Sequence, residues 1–246
     1  MAVGQIAAAA LFANAVPYLL FALAERTVDS STAGIINATT PLWTMVLAVA
    51  VRHQRAVASW QTAGLVVGFA GATLIFSPWH AASGLASAGG LECLAASVSY
   101  AISYIYMDRY LARRGISPIA LAACQLLAAA CWLGLTLAVT GAPVPHLSAV
   151  SVTGLVILGV VGTGVAYVLN YQIIASEGAT IASTVTYLLP VVAIALGVVV
   201  LSENITPAAI AGTALVLLGV ALTRWRKPRA APAGAAEADR AAMTAG

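Results

Sequence analysis

Apolar residues run in eight uninterrupted stretches along this chain, at residues 5–24, 32–51, 60–77, 90–107, 118–139, 150–171, 180–201 and 206–223. Each is close to the ~20 residues that an α-helix needs to cross a hydrocarbon core of roughly 30 Å. Within the stretches charge is confined to Glu92, near the start of the fourth. Lipid offers no water to an unpaired peptide group, and runs of this length are therefore read as membrane helices. The pattern predicts an all-α integral membrane protein, a multi-pass bundle of eight spans. The connections between the runs are too short to hold a soluble catalytic domain.

The pattern also repeats. Residues 16–51 align with 165–200 at a constant offset of 149 and without a gap, with Val16/Val165, Tyr18/Tyr167, Leu20/Leu169, Ala33/Ala182 and Pro41/Pro190 among the identities. After a one-residue slip the echo resumes in Ala63/Ala211, Gly64/Gly212, Gly71/Gly219 and Leu74/Leu222. Five helices separate the starts of the two copies, and an odd number makes the copies antiparallel. The expectation is an inverted repeat, the arrangement that lets one site face either side of a membrane alternately. Residues 1–78 form a first, three-helix repeat, 79–89 a Gly/Ala/Ser-rich linker, 90–225 a five-helix repeat, and 226–246 a disordered, Ala/Pro-rich tail. By symmetry two helices are missing upstream of Met1, which itself leads straight into helix without a cleavable signal.

Composition agrees with burial in lipid. The chain has 246 residues, is 61% hydrophobic and 8% charged, and has a mean hydropathy of +0.97; soluble domains carry about 25% charge. Threading eight spans places ten of the eleven basic residues on one side and Arg26 alone on the other. The positive-inside rule makes that side cytoplasmic, with both termini inside and the plasma membrane as the location. The basic cluster at Arg224–Arg229 fits lipid headgroups better than nucleic acid, and no nucleic-acid partner is expected. Trp60, Trp79 and Trp225 fall at span ends, in the headgroup zone.

The segments NATTPLWTMVLAV (37–49), GTGVAYVLNYQIIASEGATIAS (162–183) and the helix opening Gly90-Leu91-Glu92 resemble EamA-like members of the drug/metabolite transporter superfamily. The resemblance covers roughly residues 10–225. It implies ten helices in two five-helix inverted repeats, with a substrate bound centrally between the halves. Two departures stand out. The first two family helices are absent, and the acid that follows the fourth family helix is present as Glu203 in the second copy but is Gln54 in the first.

Polar side chains inside spans face the bundle interior, because unpaired polar groups in hydrocarbon cost several kcal/mol. Asn37, Thr40 and Thr44 share a face around Pro41, with Trp43 beside them as a stacking candidate. Thr186 and Tyr187 precede Pro190 in the related span. Tyr167 and Asn170 occupy the sixth span, Tyr100 and Tyr104 the fourth, and Gln125 the fifth. These residues are expected to line a cavity for a small-molecule substrate, or else to bond neighbouring helices at ~0.6–2 kcal/mol per contact. Pro41 and Pro190 should kink their helices and serve as gating elements, or as fixed bends. Glu92 is the acid available for coupling. The glycine rows Gly64/Gly68/Gly71 and Gly212/Gly219 should bring their spans into contact with each other or with a second copy in a homodimer. Cys124 and Cys131 read as packing residues. His53, His80 and His146 fall in loops without a partner at ligand spacing, and neither a metal nor a cofactor is expected.

The resulting expectation is a membrane transporter, an exporter or permease, of a small metabolite or drug-like molecule working by alternating access. The alternative is a shortened or partner membrane subunit without transport of its own. An intramembrane enzyme lacks a nucleophile–base constellation in this sequence.

Overall fold

The computed structural model describes residues 2–53, 58–76, 87–141, 148–201 and 206–224. Gln54, Trp79, His80, His146, Glu203, Trp225 and the 226–246 tail, along with most of the linker, lie outside the described residues. All regular structure among the described residues is helical.

Helix α1 covers residues 2–24 as Ala2–Ala10, a π-helical turn at Leu11–Ala15, and Val16–Ala24. The second stretch breaks into α2 (Ser30–Asn37) and α3 (Thr40–Ala50); α4 is Ser59–Ile75, α5 Ala88–Tyr110 and α6 Pro118–Thr140. Helix α7 runs over Ala149–Glu177 with a π-helical segment at Leu158–Val165. Helix α8 covers 179–201, opening as Ala179–Ser183, tightening to a 3₁₀ turn at Thr184–Tyr187 and continuing as Leu188–Leu201; α9 is Pro207–Arg224.

Helix starts follow from side chains that satisfy orphan backbone donors. Ser87, Ser117 and Ser148 accept from the N–H groups of Gly90, Ala120 and Ser151, at 3.1–3.2 Å. Asp29 Oδ1 accepts from Thr32 N at 2.7 Å, and this bond holds the carboxyl below the usual carboxylate range. Gly141, at φ 64°, closes α6 in the left-handed region.

Among the described residues six stretches are long and apolar enough to cross a membrane: Val3–Ala24, Ser30–Ala50, Pro118–Val139, Ala149–Glu177, Ala179–Val200 and Pro207–Arg224. The count of eight expected from sequence is thus met in part. Helix α4 is apolar but has 17 residues, about 26 Å at 1.5 Å per residue. Helix α5 has 23 residues but carries Ser97, Ser99, Tyr100, Ser103 and Tyr104. Its position accounts for that polarity: α5 packs against α1, α2, α3, α7 and α8. A helix enclosed by other helices has no need to be apolar all round.

Helices α4 and α9 lie antiparallel in close contact. A Cβ added to Gly64 would stand 2.7 Å from Gly219 O, and one added to Gly71 would stand 2.7 Å from Gly212 O. The glycine rows therefore meet within one chain. Cys124 and Cys131, by contrast, are exposed rather than packed.

Candidate functional site

The π turn of α1 has a local cause. Pro17 brings no N–H to the carbonyl of Ala13, and the Val16 N–H bonds Leu11 O instead of Phe12 O. Two carbonyls are left over, and two other helices satisfy them: Ser99 Oγ donates to Phe12 O at 2.8 Å, and the Tyr167 hydroxyl donates to Ala13 O at 3.2 Å.

The same turn presents Asn14, buried to 1% exposure. Its Nδ2 donates to Tyr167 Oη at 2.7 Å and to Tyr18 Oη at 3.3 Å. Its Oδ1 accepts from Gln125 Nε2 at 3.1 Å, and Gln125 Oε1 accepts from the Tyr171 hydroxyl. Each amide is thus oriented by the next partner, and the network links α1, α6 and α7 through the bundle interior.

In front of this network lies a cavity of about 470 Å³ between α1, α5, α7 and α8. Tyr18, Tyr100, Tyr104 and Tyr167 form aromatic walls, and Ser103, Thr163, Asn170 and Thr186 contribute polar groups. None of its described lining residues carries a formal charge. Asn170 finds no hydrogen-bond partner among the described residues, so its amide is available to a ligand. A larger apolar crevice of about 540 Å³ lies between α1 and α6, but its one strong donor, Trp132 Nε1, is spent on Ala7 O at 3.1 Å.

Of the residues expected to line a cavity, Tyr100, Tyr104, Tyr167, Asn170 and Thr186 do so together. Asn37 and Pro190 line a smaller cavity of about 190 Å³, which shares Thr186 and Leu189 with the first. The others stand elsewhere. Gln125 sits behind the wall in the Asn14 network. Tyr187 turns to α4, donates to Leu65 O at 3.0 Å and lays its ring on Gly68. Thr44 Oγ1 bonds Thr40 O at 2.9 Å, and Thr40 Oγ1 approaches Asn37 Oδ1 at 3.4 Å. Both threonines are buried, Trp43 is half-buried, and none of the three lines either cavity.

Pro41 is buried as the second residue of α3, after the break at Ala38–Thr39, and Pro190 stands three residues after the 3₁₀ turn of α8. Glu92, half-buried near the start of α5, lines neither cavity. It is also not the sole acid within this helix. Asp108, in the last turn of α5, is buried to 3% exposure and bonds His53 Nε2 at 2.8 Å. His53, which has no partner at metal-ligand spacing in the sequence, is thus engaged by a carboxylate.

Gly178 forms the joint between α7 and α8 at φ 86° and ψ 172°, a region that only glycine occupies at low cost. Gly178→Ala is expected to destabilise the protein by ~1–3 kcal/mol. In a thermal melt that is roughly 2–4 °C per kcal/mol. Gly134→Ala, which meets nothing within 4 Å, should melt with the parent.

The EamA-like transporter family matches residues 2–77 and 87–225, nearly the whole chain. The chain belongs to the EamA-like transporter family. That family is a class of transporters, and membership together with the apolar helices makes this EamA-like chain a multi-pass membrane protein of transporter type. A crystal structure of a protein matches it with a TM-score of 0.73 at 20% sequence identity, over 91% of this chain and 76% of that one. At that identity the likeness establishes the fold of the EamA-like chain. No curated protein matches it.

Proposed function

We propose that this chain is a secondary transporter of the plasma membrane that moves a small, uncharged, ring-bearing molecule by alternating access. Eight helical rods span the bilayer in this reading, with α2 and α3 together as one span, and both termini are cytoplasmic. A charged cargo would lose its hydration in the cavity without meeting a counter-charge among the described residues, whereas tyrosine faces and hydroxyls suit a neutral ring with hydrogen-bonding edges.

The observation that carries the reading is a coincidence of backbone irregularities. Shifted by 149, the π turn Leu11–Ala15 falls at 160–164, inside the π segment Leu158–Val165. The break at Ala38–Thr39 falls at 187–188, where the 3₁₀ turn of α8 ends. The glycine contacts are reciprocal: Gly64 and Gly71 correspond to Gly212 and Gly219, and the pairs in contact are 64 with 219 and 71 with 212. A two-fold axis generates that pattern, each position meeting its partner's equivalent. Both π segments also reach the cavity, through Ala13 and through Gly162 and Thr163. π turns recur at functional sites. Together these features support an inverted repeat with its site at the axis.

Reconstitution into liposomes tests the proposal. The purified chain is expected to accumulate an uncharged aromatic compound, chemically unchanged, from a labelled panel of neutral and charged molecules. Asn170→Leu should lower its initial rate about three- to tenfold, the equivalent of one hydrogen bond. Uptake of charged compounds alone would overturn the cargo class, and a folded protein that moves nothing would overturn the transporter.

A further inference from the structure

Asp108 binds three chain segments that are far apart in sequence. Its Oδ2 accepts from His53 Nε2 at 2.8 Å and from the Ala179 backbone N–H at 3.2 Å, and its Oδ1 accepts from Arg113 Nε at 3.1 Å. The donors come from the end of α3, the first residue of α8 and the turn after α5. The backbone is shaped to deliver them. Helix α3 ends with His53 N bonded to Ala48 O and Arg52 N bonded to Val49 O, a Schellman closure. That closure holds Arg52 at φ 55°, the one positive φ outside glycine among the described residues. Strain of this kind persists where the surroundings enforce it, and it accumulates at switches and clamps.

The tie lies directly beneath the cavity. Met107, the residue before Asp108, lines the cavity, as does Ile173, one turn before Glu177. Below them a polar cleft of about 270 Å³ is lined by His53, Asp108, Arg109, Arg113, Glu177 and Gly178. This is the end of the bundle that carries Arg52, Arg109, Arg113 and Arg114, opposite Arg26.

We propose that Asp108 is the latch of the cytoplasmic gate. While its carboxylate holds His53 and the α8 N-terminus, α3, α5 and α8 close the cytoplasmic end of the cavity. When the latch opens, α3 and α8 part from α5 and the cavity reaches the cytoplasm. The proposal rests on the alternating-access reading above. A buried carboxylate stripped of its donors is strongly disfavoured. Opening therefore requires water to enter from the cleft below and replace them, which makes the latch two-state rather than gradual. Arg113, with a side chain 66% exposed, can remain bonded in both states, while the bonds from His53 and Ala179 must break.

Thiol accessibility tests this without knowledge of the cargo. The full chain carries Thr186→Cys as a reporter in the cavity wall, with Cys93, Cys124 and Cys131 replaced, in membrane vesicles of both orientations. A membrane-impermeant maleimide is then applied to either face. Asp108→Ala is expected to raise cytoplasmic-side labelling about tenfold or more, the effect of removing ~1.4 kcal/mol of closed-state preference. His53→Ala should raise it in the same direction, and His53→Gln, which retains a donor, should stay near the parent. Cytoplasmic labelling within about twofold of the parent in a folded Asp108→Ala protein overturns the latch. Should that variant not fold, unchanged labelling in His53→Ala overturns it equally. Full labelling of the parent from both faces at once would overturn alternating access itself, and the latch with it.

Discussion

Gly219→Leu is expected to destabilise the fold strongly. A Cβ at this position would stand 2.6 Å from both Gly68 Cα and Gly64 O. Both are backbone atoms of α4, so no flexible side chain can give way, and α4 and α9 would have to separate along their contact. In lipid that separation meets no hydrophobic resistance, because acyl chains are as apolar as leucine; close packing and interhelical bonds are what hold the pair. Overpacking a well-fitted contact costs ~1–3 kcal/mol, and more where neither side can move. At 2–4 °C per kcal/mol the detergent melt should fall by about 10 °C, with loss of the monodisperse peak in size-exclusion chromatography. Gly154→Leu is the control, since nothing lies within 4 Å of Gly154. If both variants melt together, the glycine seam does not hold these helices.

The seam was legible because glycines recurring at a fixed offset leave a mark in the sequence whatever surrounds them. Tyr100, Tyr104 and Tyr167 were legible too, since large polar-tipped rings in mid-span are costly in lipid, whereas Tyr18 drew notice only as a repeat identity. On the Thr40–Thr44 face the sequence left cavity lining and bonding both open, and the structure shows bonding, Thr44 Oγ1 to Thr40 O at 2.9 Å. Asn37 and Thr40 stay neighbours across the break at Ala38–Thr39, at 3.4 Å, but only Asn37 reaches a cavity. Asn14 escaped attention because a single asparagine in an apolar run forms no stripe. The signal present in the sequence was Pro17 three residues on, which signals surplus carbonyls near that asparagine. Asp108 escaped because it stands one residue beyond the apolar run at 90–107, and its partner His53 is 55 positions away. Periodicity cannot report a pairing between helix ends that only the fold brings together.

The asparagine so easily overlooked gives the second large expected effect. Asn14→Leu should destabilise the protein more than Asn14→Leu combined with Gln125→Leu. Gln125 is fully buried, and its Nε2 has Asn14 Oδ1 as its bonded partner at 3.1 Å. Removing Asn14 alone strands that buried amide and takes a donor from Tyr167 and from Tyr18. A stranded buried group costs ~1–3 kcal/mol, so a drop of about 5–10 °C in the melt follows. Removing both amides leaves the Tyr171 hydroxyl without Gln125 Oε1 but strands no amide, and two leucines fill the space with apolar volume. The double variant thus exchanges a stranded amide, with two N–H donors, for a single stranded hydroxyl, the smaller penalty. The double variant should therefore melt at or above the Asn14→Leu single, a coupling of about 1–2 kcal/mol in a double-mutant cycle. Strict additivity would show that the two amides are independent and that Asn14 does not orient the tyrosine wall. The same pair separates stability from recognition. If the network aims the Tyr18 and Tyr167 hydroxyls into the cavity, the double variant will melt at or above the single and still transport poorly.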